Sequence, residues 1–265
     1  MPNIVLVILG RAEAAEACLD AAAHAARALG DARVIAVATR TPIESQVLPS
    51  EEVLTSRRRA ELQQRADAAI AGLKARFDAW QRERGLPASW TEAAGAAADE
   101  IHRHGQAVEL LVVAAAPGAH DGTALRTALL DTQRPVILVP DRIGPSLGRR
   151  VAIAWHEDEP AVRAVLAAMP FLVAAERIWV LQASRAGQAM GRLPAILEEH
   201  GIAAELRGVP AGHDAGAALL AEAHALAADL LVMGAYAHSP LVEAVLGGVT
   251  RTVLRRADLP VLLRH

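Results

Sequence analysis

Apolar residues in this chain come as short unbroken runs, separated by longer stretches where they recur every three or four positions. Unbroken runs bounded by helical patterns mark strands buried on both faces of a parallel sheet. In the first half the runs predict strands at about 3–9, 33–39, 87–92, 108–114 and 135–139. In the second half they predict strands at about 150–155, 177–183, 203–209, 229–233 and 260–264. The halves repeat one another: "VELLVVAAAPG" (108–118) matches "ADLLVMGAYAH" (228–238), and "RPVILVPD" (134–141) matches "LPVLLRH" (259–265). The fold class is therefore α/β, with two tandem, doubly wound, Rossmann-like units of five parallel strands joined by right-handed crossovers. The expected units are 1–142 and 149–265, with the break at "DRIGPSLGR" (141–149), where Gly144, Pro145 and Gly148 interrupt regular structure.

Extra length in the first half falls mostly at 50–85. Leu62, Ala66, Ala69, Leu73, Phe77 and Trp80 recur there at helical steps, one apolar stripe on a long helix. Glu51 and Glu52 at its start and Arg82 and Arg84 at its end suit the helix dipole. The stripe is expected to pack on the sheet, with a partner-binding helix as the other reading.

Composition narrows the function classes. Hydrophobic residues make up 53% and charged residues 22%, enough to bury a sizeable core, and the net charge of −3 gives no basic surface for nucleic acid. Cys18 is the one cysteine, which rules out an intrachain disulfide and a thiolate cluster, and it reads as a small buried hydrophobe. The opening residues lack a basic start followed by a long apolar stretch, and no apolar run reaches the roughly 20 residues of a membrane span. A cytoplasmic protein without membrane or nucleic-acid partners is expected.

The stretch "GAYAHSPLVEAVLGGVT" (234–250) carries the clearest candidate chemistry. Gly234 ends the strand "DLLVM", Pro240 is placed to open a helical turn, and Gly247-Gly248 precedes a final helix. At that helix start the amides of Gly248, Val249 and Thr250 are unpaired donors, which favours an anion, and Thr250 adds a hydroxyl. Ligands of open α/β sheets bind beyond the carboxyl ends of the strands, so the stretch lies where a phosphate is expected.

The spacing, a glycine, two residues, a small residue, nine more and then Gly-Gly-Val-Thr, resembles the phosphate loop of the universal stress protein family, and the tandem repeat resembles its two-domain members. The resemblance implies ATP or AMP, with Mg²⁺, in the second half, held by Gly234, His238, Gly247, Gly248, Val249 and Thr250. His156 would stand at the adenine-binding acidic position, and Met233 and Ala183 would line the adenine pocket. It also implies that strands 135–139 and 260–264 pair across the halves as a pseudo-dimer; homodimerisation of the tandem chain is left open.

Departures from the pattern bear on the ligand. Ala237 replaces the second glycine, Gly248 replaces a hydroxyl residue, and His156 replaces a carboxylate. An imidazole cannot reproduce a carboxylate that accepts from an adenine amine. In the first half Gly10 stands at the acidic position, and "LLDT" replaces the glycine pair, with Asp131 expected to repel a phosphate there. At most one nucleotide per chain follows.

Other chemistry is sparse. "GAHD" (118–121) and "GHD" (212–214) invite a metal story for His120 or His213, but Asp214 is more simply a helix N-cap. Walker, dinucleotide, nucleophile-elbow and zincin motifs are lacking, and no catalytic residues or metal ligands are assigned. Two readings stand: a nucleotide-responsive regulatory protein, or a relative without nucleotide acting through dimerisation and protein contact.

Overall fold

The computed structural model describes residues 3–40, 55–93, 95–115, 123–184, 191–235 and 248–265. Ten strands occupy β1 Ile4–Leu9, β2 Arg33–Thr39, β3 Ala88–Ala93, β4 Leu110–Ala114, β5 Val136–Val139, β6 Arg150–Ala154, β7 Arg177–Ser184, β8 Glu205–Pro210, β9 Leu230–Gly234 and β10 Val261–Arg264. Each lies within two residues of its expected bounds. They form one sheet in the order β3-β2-β1-β4-β5-β10-β9-β6-β7-β8.

The halves thus repeat one strand order, and every pairing is parallel except the seam. There β5 and β10 run antiparallel, with Val261 opposite Leu138, Leu262 opposite Ile137 and Leu263 opposite Val136. This is the pseudo-dimer that the family resemblance implied. Strands at and beside the seam are buried over nearly their whole length, whereas the outer strands β3 (ASWTEA), mostly half-buried, and β8 (ELRGVP), mostly exposed, carry more polar residues. Polar, short edges of this kind discourage further strand pairing.

Helices cover both faces: α1 Ala15–Ala28, α2 Ser56–Arg84, α3 Ala97–His104, α4 Thr123–Arg126, α5 Glu159–Ala174, α6 Ala195–Glu199, α7 Ala215–Ala225 and α8 Gly248–Arg256. A π-turn at Thr127–Asp131 continues α4. One core cluster lies under α1, α2, α5 and α6, and another under α3, α4, α7 and α8; each runs through both halves. Alanine allows α1 to lie close, and nine of its residues are buried, Cys18 among them. No helix among the described residues is long and apolar enough to cross a membrane.

The long helix forms, but its buried stripe is Leu62, Ile70, Leu73, Phe77 and Trp80. Ala69, expected in the stripe, is exposed and Ile70 faces inward instead, since the larger side chain gains more from burial. Trp80 donates its indole N–H to Asp20 at 3.2 Å and Arg84 reaches the same carboxylate at 2.7 Å, fixing α2 onto α1. Glu51 and Glu52 lie outside the described residues.

Between the halves, one carboxylate organises the chain. Asp229, just before β9, accepts from the Ser146 hydroxyl at 2.7 Å and from the amides of Gly148, Arg149 and Arg150 at 3.0 to 3.2 Å. Gly148 sits at φ +85°, and a Cβ there would lie 2.7 Å from the Phe171 ring, so glycine is required at this turn.

Two outcomes follow. Asp229→Ala strands four donors at the junction and should cost about 2–4 kcal/mol of unfolding free energy, read by urea denaturation. Burial pushes the Cys18 thiol up to about 12, so the folded chain should resist a thiol reagent at pH 8 and react at one site once unfolded.

Candidate functional site

In the second half, β6, β7 and β8 end side by side and the chain leaves each through a short turn. The Trp155 amide, just past β6, donates to the Leu181 carbonyl at 2.9 Å, and the Ala211 amide, just past β8, donates to the Ser184 carbonyl at 2.9 Å. These bonds hold the strand ends level beneath two helix starts. Asp214 caps α7, accepting from the Ala217 amide at 3.1 Å. α8 crosses α7 at Gly216, where a Cβ would lie 2.8 Å from the Val249 carbonyl oxygen and 2.7 Å from Thr252 Cβ.

The resulting cavity measures about 750 Å³. Its floor carries Ala183 and Ser184, its rim His156 and His213, and its far wall Gly248 and Thr252. A helix of this length leaves its first amides without partners inside the helix, so α8 presents the backbone N–H groups of its first turn here. A second cavity of about 440 Å³ shares His156, Ala183 and Ser184 and extends toward Trp155 and Leu193. Gln182 fixes its far wall, accepting from the Gly191 amide at 2.9 Å and donating to the Arg192 carbonyl at 3.3 Å.

Two carboxylates near the rim, Asp214 and Asp158, are already committed. The Asp214 carboxyl is held below the usual carboxylate range by the Ala217 amide first, then by the Thr252 hydroxyl and the nearby Arg256 guanidinium. Arg256 approaches it to 3.2 Å. His156 is exposed, with Nδ1 3.2 Å from Asp158, whose other oxygen caps α5 through the Ala161 amide at 2.9 Å. Among the described residues no group of three His, Cys, Asp or Glu side chains is placed to hold a metal ion.

Of the expected ligand residues, the structure brings His156, Ala183, Gly248 and Val249 together on the cavity. Thr250 is buried and Met233 is packed in the core, and neither lines the cavity. His238 and Gly247 lie outside the described residues. Ser184, His213, Arg251 and Thr252 line the cavity without having been expected there. Position was the available signal for Ser184 and His213, since both lie where a strand meets the carboxyl edge of the sheet.

Gly234 has a packing reason of its own. A Cβ there would lie 2.7 Å from the Pro160 carbonyl carbon and the Ala161 amide nitrogen, so the glycine lets the first turn of α5 settle against β9. A Cβ on Gly248 would meet nothing within 4 Å among the described residues.

The first half is built differently at the same edge. Arg11 extends from the end of β1, donates to the Ala115 carbonyl just past β4, and ion-pairs with Asp141 just past β5 at 2.9 Å. In the second half the corresponding Ala235 carbonyl is met from β10, by His265 Nδ1 at 3.2 Å, and the space above β6 stays open. Asp131, expected beside a phosphate, instead ends the π-turn shortly before the amino end of β5, at the opposite edge of the sheet. α4 begins at Thr123, so "LLDT" falls at the end of that helix and not at its start.

Gly234→Ala should lower stability by about 1–3 kcal/mol through this overpacking, while Gly248→Ala leaves it unchanged or slightly raised. Thermal unfolding of the two variants checks the contrast.

Residues 154–265 match the universal stress protein family. No curated protein matches the chain in sequence. In three dimensions the chain is similar to a universal stress protein from Archaeoglobus fulgidus DSM 4304, at 18% identity and a TM-score of 0.71, covering 99% of this chain and 96% of that one. It is also similar to a putative universal stress protein from Pseudomonas aeruginosa UCBPP-PA14, at 14% identity and a TM-score of 0.57, covering 99% and 93%. A functionally unknown protein from Pseudomonas aeruginosa PAO1 matches at 14% and 0.57, covering 99% and 92%. At these identities the likeness is one of fold. The match to the universal stress protein family thus lies in the second half of this chain, while the likeness in fold to a solved universal stress protein runs over nearly its whole length.

Proposed function

We propose that this chain is a regulatory stress-response protein of the cytoplasm that binds one AMP or ATP in its second half and does no chemistry on it. The cavity above β6–β8 carries this reading: at about 750 Å³ it lies within the range of small-ligand sites, and α8 begins at its wall. The phosphate would meet the amides of Gly248 and Val249, in the potential of the α8 start. The base would lie over Ala183, with Ser184 and His156 in reach of its polar edge. Gly234, His238 and Gly247 of the same sequence stretch complete the proposed set of ligand residues.

The residues present fit a nucleotide better than they fit a resident metal. Asp214 and Asp158 are both engaged as helix caps, so neither offers Mg²⁺ a free carboxylate. Mg²⁺ would be held by the phosphates of ATP and by water. The same commitment draws Asp158 and Asp214 away from general-base work, which supports binding over catalysis. In this reading the units are 1–142, with its ligand edge filled by Arg11, and 149–265, which carries the nucleotide.

Mass spectrometry of the purified chain and calorimetry with AMP, and with ATP plus Mg²⁺, test the reading. One nucleotide per chain is expected, weakened at least tenfold by Ala183→Trp or Gly248→Trp with the fold intact. No co-purified nucleotide and no heat up to millimolar concentrations would leave the protein-contact reading in its place.

A further inference from the structure

The wall of the larger cavity carries four side chains that can hold charge: His156, His213, Asp214 and Arg251. Asp214, the one carboxylate among the described lining residues, is held by the Ala217 amide and by Arg256. His156 is met by Asp158. Arg251 differs from both. It is exposed, and among the described residues its guanidinium has neither an ion pair nor a side-chain hydrogen bond.

Its place in α8 makes that open charge costly. α5 and α7 each meet their start with an aspartate, Asp158 and Asp214, whose carboxylate answers the partial positive charge of the free amides. α8 has no acidic residue in its first turn. Arg251 stands three residues after Gly248, where a cation adds to the charge of the helix start instead of opposing it. A helical side chain leans back toward the amino end, so the guanidinium is carried toward the amides of Gly248 and Val249, and all three residues line the same cavity. Two positive features on one wall, with no carboxylate free for either, suit an anion that brings more than one charged group.

We propose that Arg251 reads the number of phosphates, so that the site prefers a nucleoside di- or triphosphate to AMP. This rests on the nucleotide reading above and deepens it. One phosphate meets the amides of Gly248 and Val249. At about 1.5 Å of rise per residue Arg251 lies one turn further along, and its planar fork takes two oxygens of the next phosphate. AMP has no second phosphate and leaves the guanidinium in water. The first half supplies a contrast: "RTALLDTQRPVILV" (126–139) aligns without a gap with "RTVLRRADLPVLLR" (251–264), so Arg126 holds the register of Arg251. There Arg11 already spans the strand ends, and Arg126 has no open crevice to serve.

Calorimetry of the full chain with AMP, ADP, ATP, inorganic phosphate and tripolyphosphate tests this, without Mg²⁺ so that no metal answers the phosphate charge. The parent should bind ATP about tenfold or more tightly than AMP, the difference one charge-assisted contact can supply. Arg251→Gln should bring ATP down to the affinity of AMP, leave AMP nearly unchanged, and melt with the parent because the side chain is exposed. Arg251→Lys, which keeps the charge and loses the fork, should recover part of the preference, and Arg126→Gln should alter nothing. Equal affinity for AMP and ATP in the parent would overturn the proposal and leave the nucleotide reading standing. So would a glutamine variant that keeps the preference or weakens both ligands alike. Tripolyphosphate bound through Arg251 by a chain indifferent to AMP and ATP would support Arg251 as the phosphate reader and overturn the nucleotide reading. No binding of any of these probes would overturn both.

Discussion

The antiparallel pairing of β5 with β10 is the constraint on which the rest of this molecule depends. Both strands are wholly apolar over their central residues and buried on both faces, and either one left as an edge would be a template for aggregation. Pairing them satisfies both sets of backbone groups at once and makes one sheet of two. The consequence reaches outward: the two core clusters become continuous across the seam, and among the described residues the strands left at the edges are β3 and β8. The seam is also secured beyond the ladder, since Arg264 reaches across to the Gln133 carbonyl of the first half.

A shared seam lets the two halves diverge without losing each other. The first half invests in cover: α2 lies over α1, and Arg11 spans the ends of β1, β4 and β5. A guanidinium with a carbonyl and a carboxylate as partners is a stable filling for such a crevice, because its charge is met where it lies. The second half keeps the same strand order and leaves the equivalent space open, with two helix starts turned toward it. Divergence has thus concentrated at the carboxyl edge and at the outer helices, where change does not disturb the seam.

The fold was legible in the sequence because its signals are redundant. Apart from β3 and β8 the strands show as largely apolar runs, the halves repeat one another, and the cap at Asp214 sits where a helix begins. The register of α2 was misread by one position since Ala69 and Ile70 both continue an apolar step, and only contact with α1 and the sheet selects the larger one. The site was less legible. His156 and Ala183 were expected from the family resemblance and line the cavity at strand ends, but Thr250 was expected at a phosphate on the strength of its hydroxyl, whereas the rotation of α8 buries it and turns Thr252 to the cavity. Helix rotation is set by packing against α7 at Gly216, a tertiary contact invisible in a local motif. Asp229 was missed for the same reason: its four donors lie some 80 residues away.

Glycine illustrates how one residue type serves two purposes at a ligand edge. Gly234 ends β9 where a phosphate loop is expected, yet the nearest atoms to its missing Cβ belong to the first turn of α5. The two roles are linked by geometry. A ligand at the switch point of a parallel sheet lies between a helix that follows one strand and a loop that follows its neighbour, and both must approach closely for the crevice to be narrow enough to grip. The glycine that admits α5 therefore also shapes the crevice wall, without touching what binds there. Gly248 differs: among the described residues a Cβ there would meet nothing within 4 Å, and α8 runs on from it. The steric need lies at 234 and the chemical opportunity at 248, so a glycine motif gains meaning only when the neighbour of each missing side chain is known.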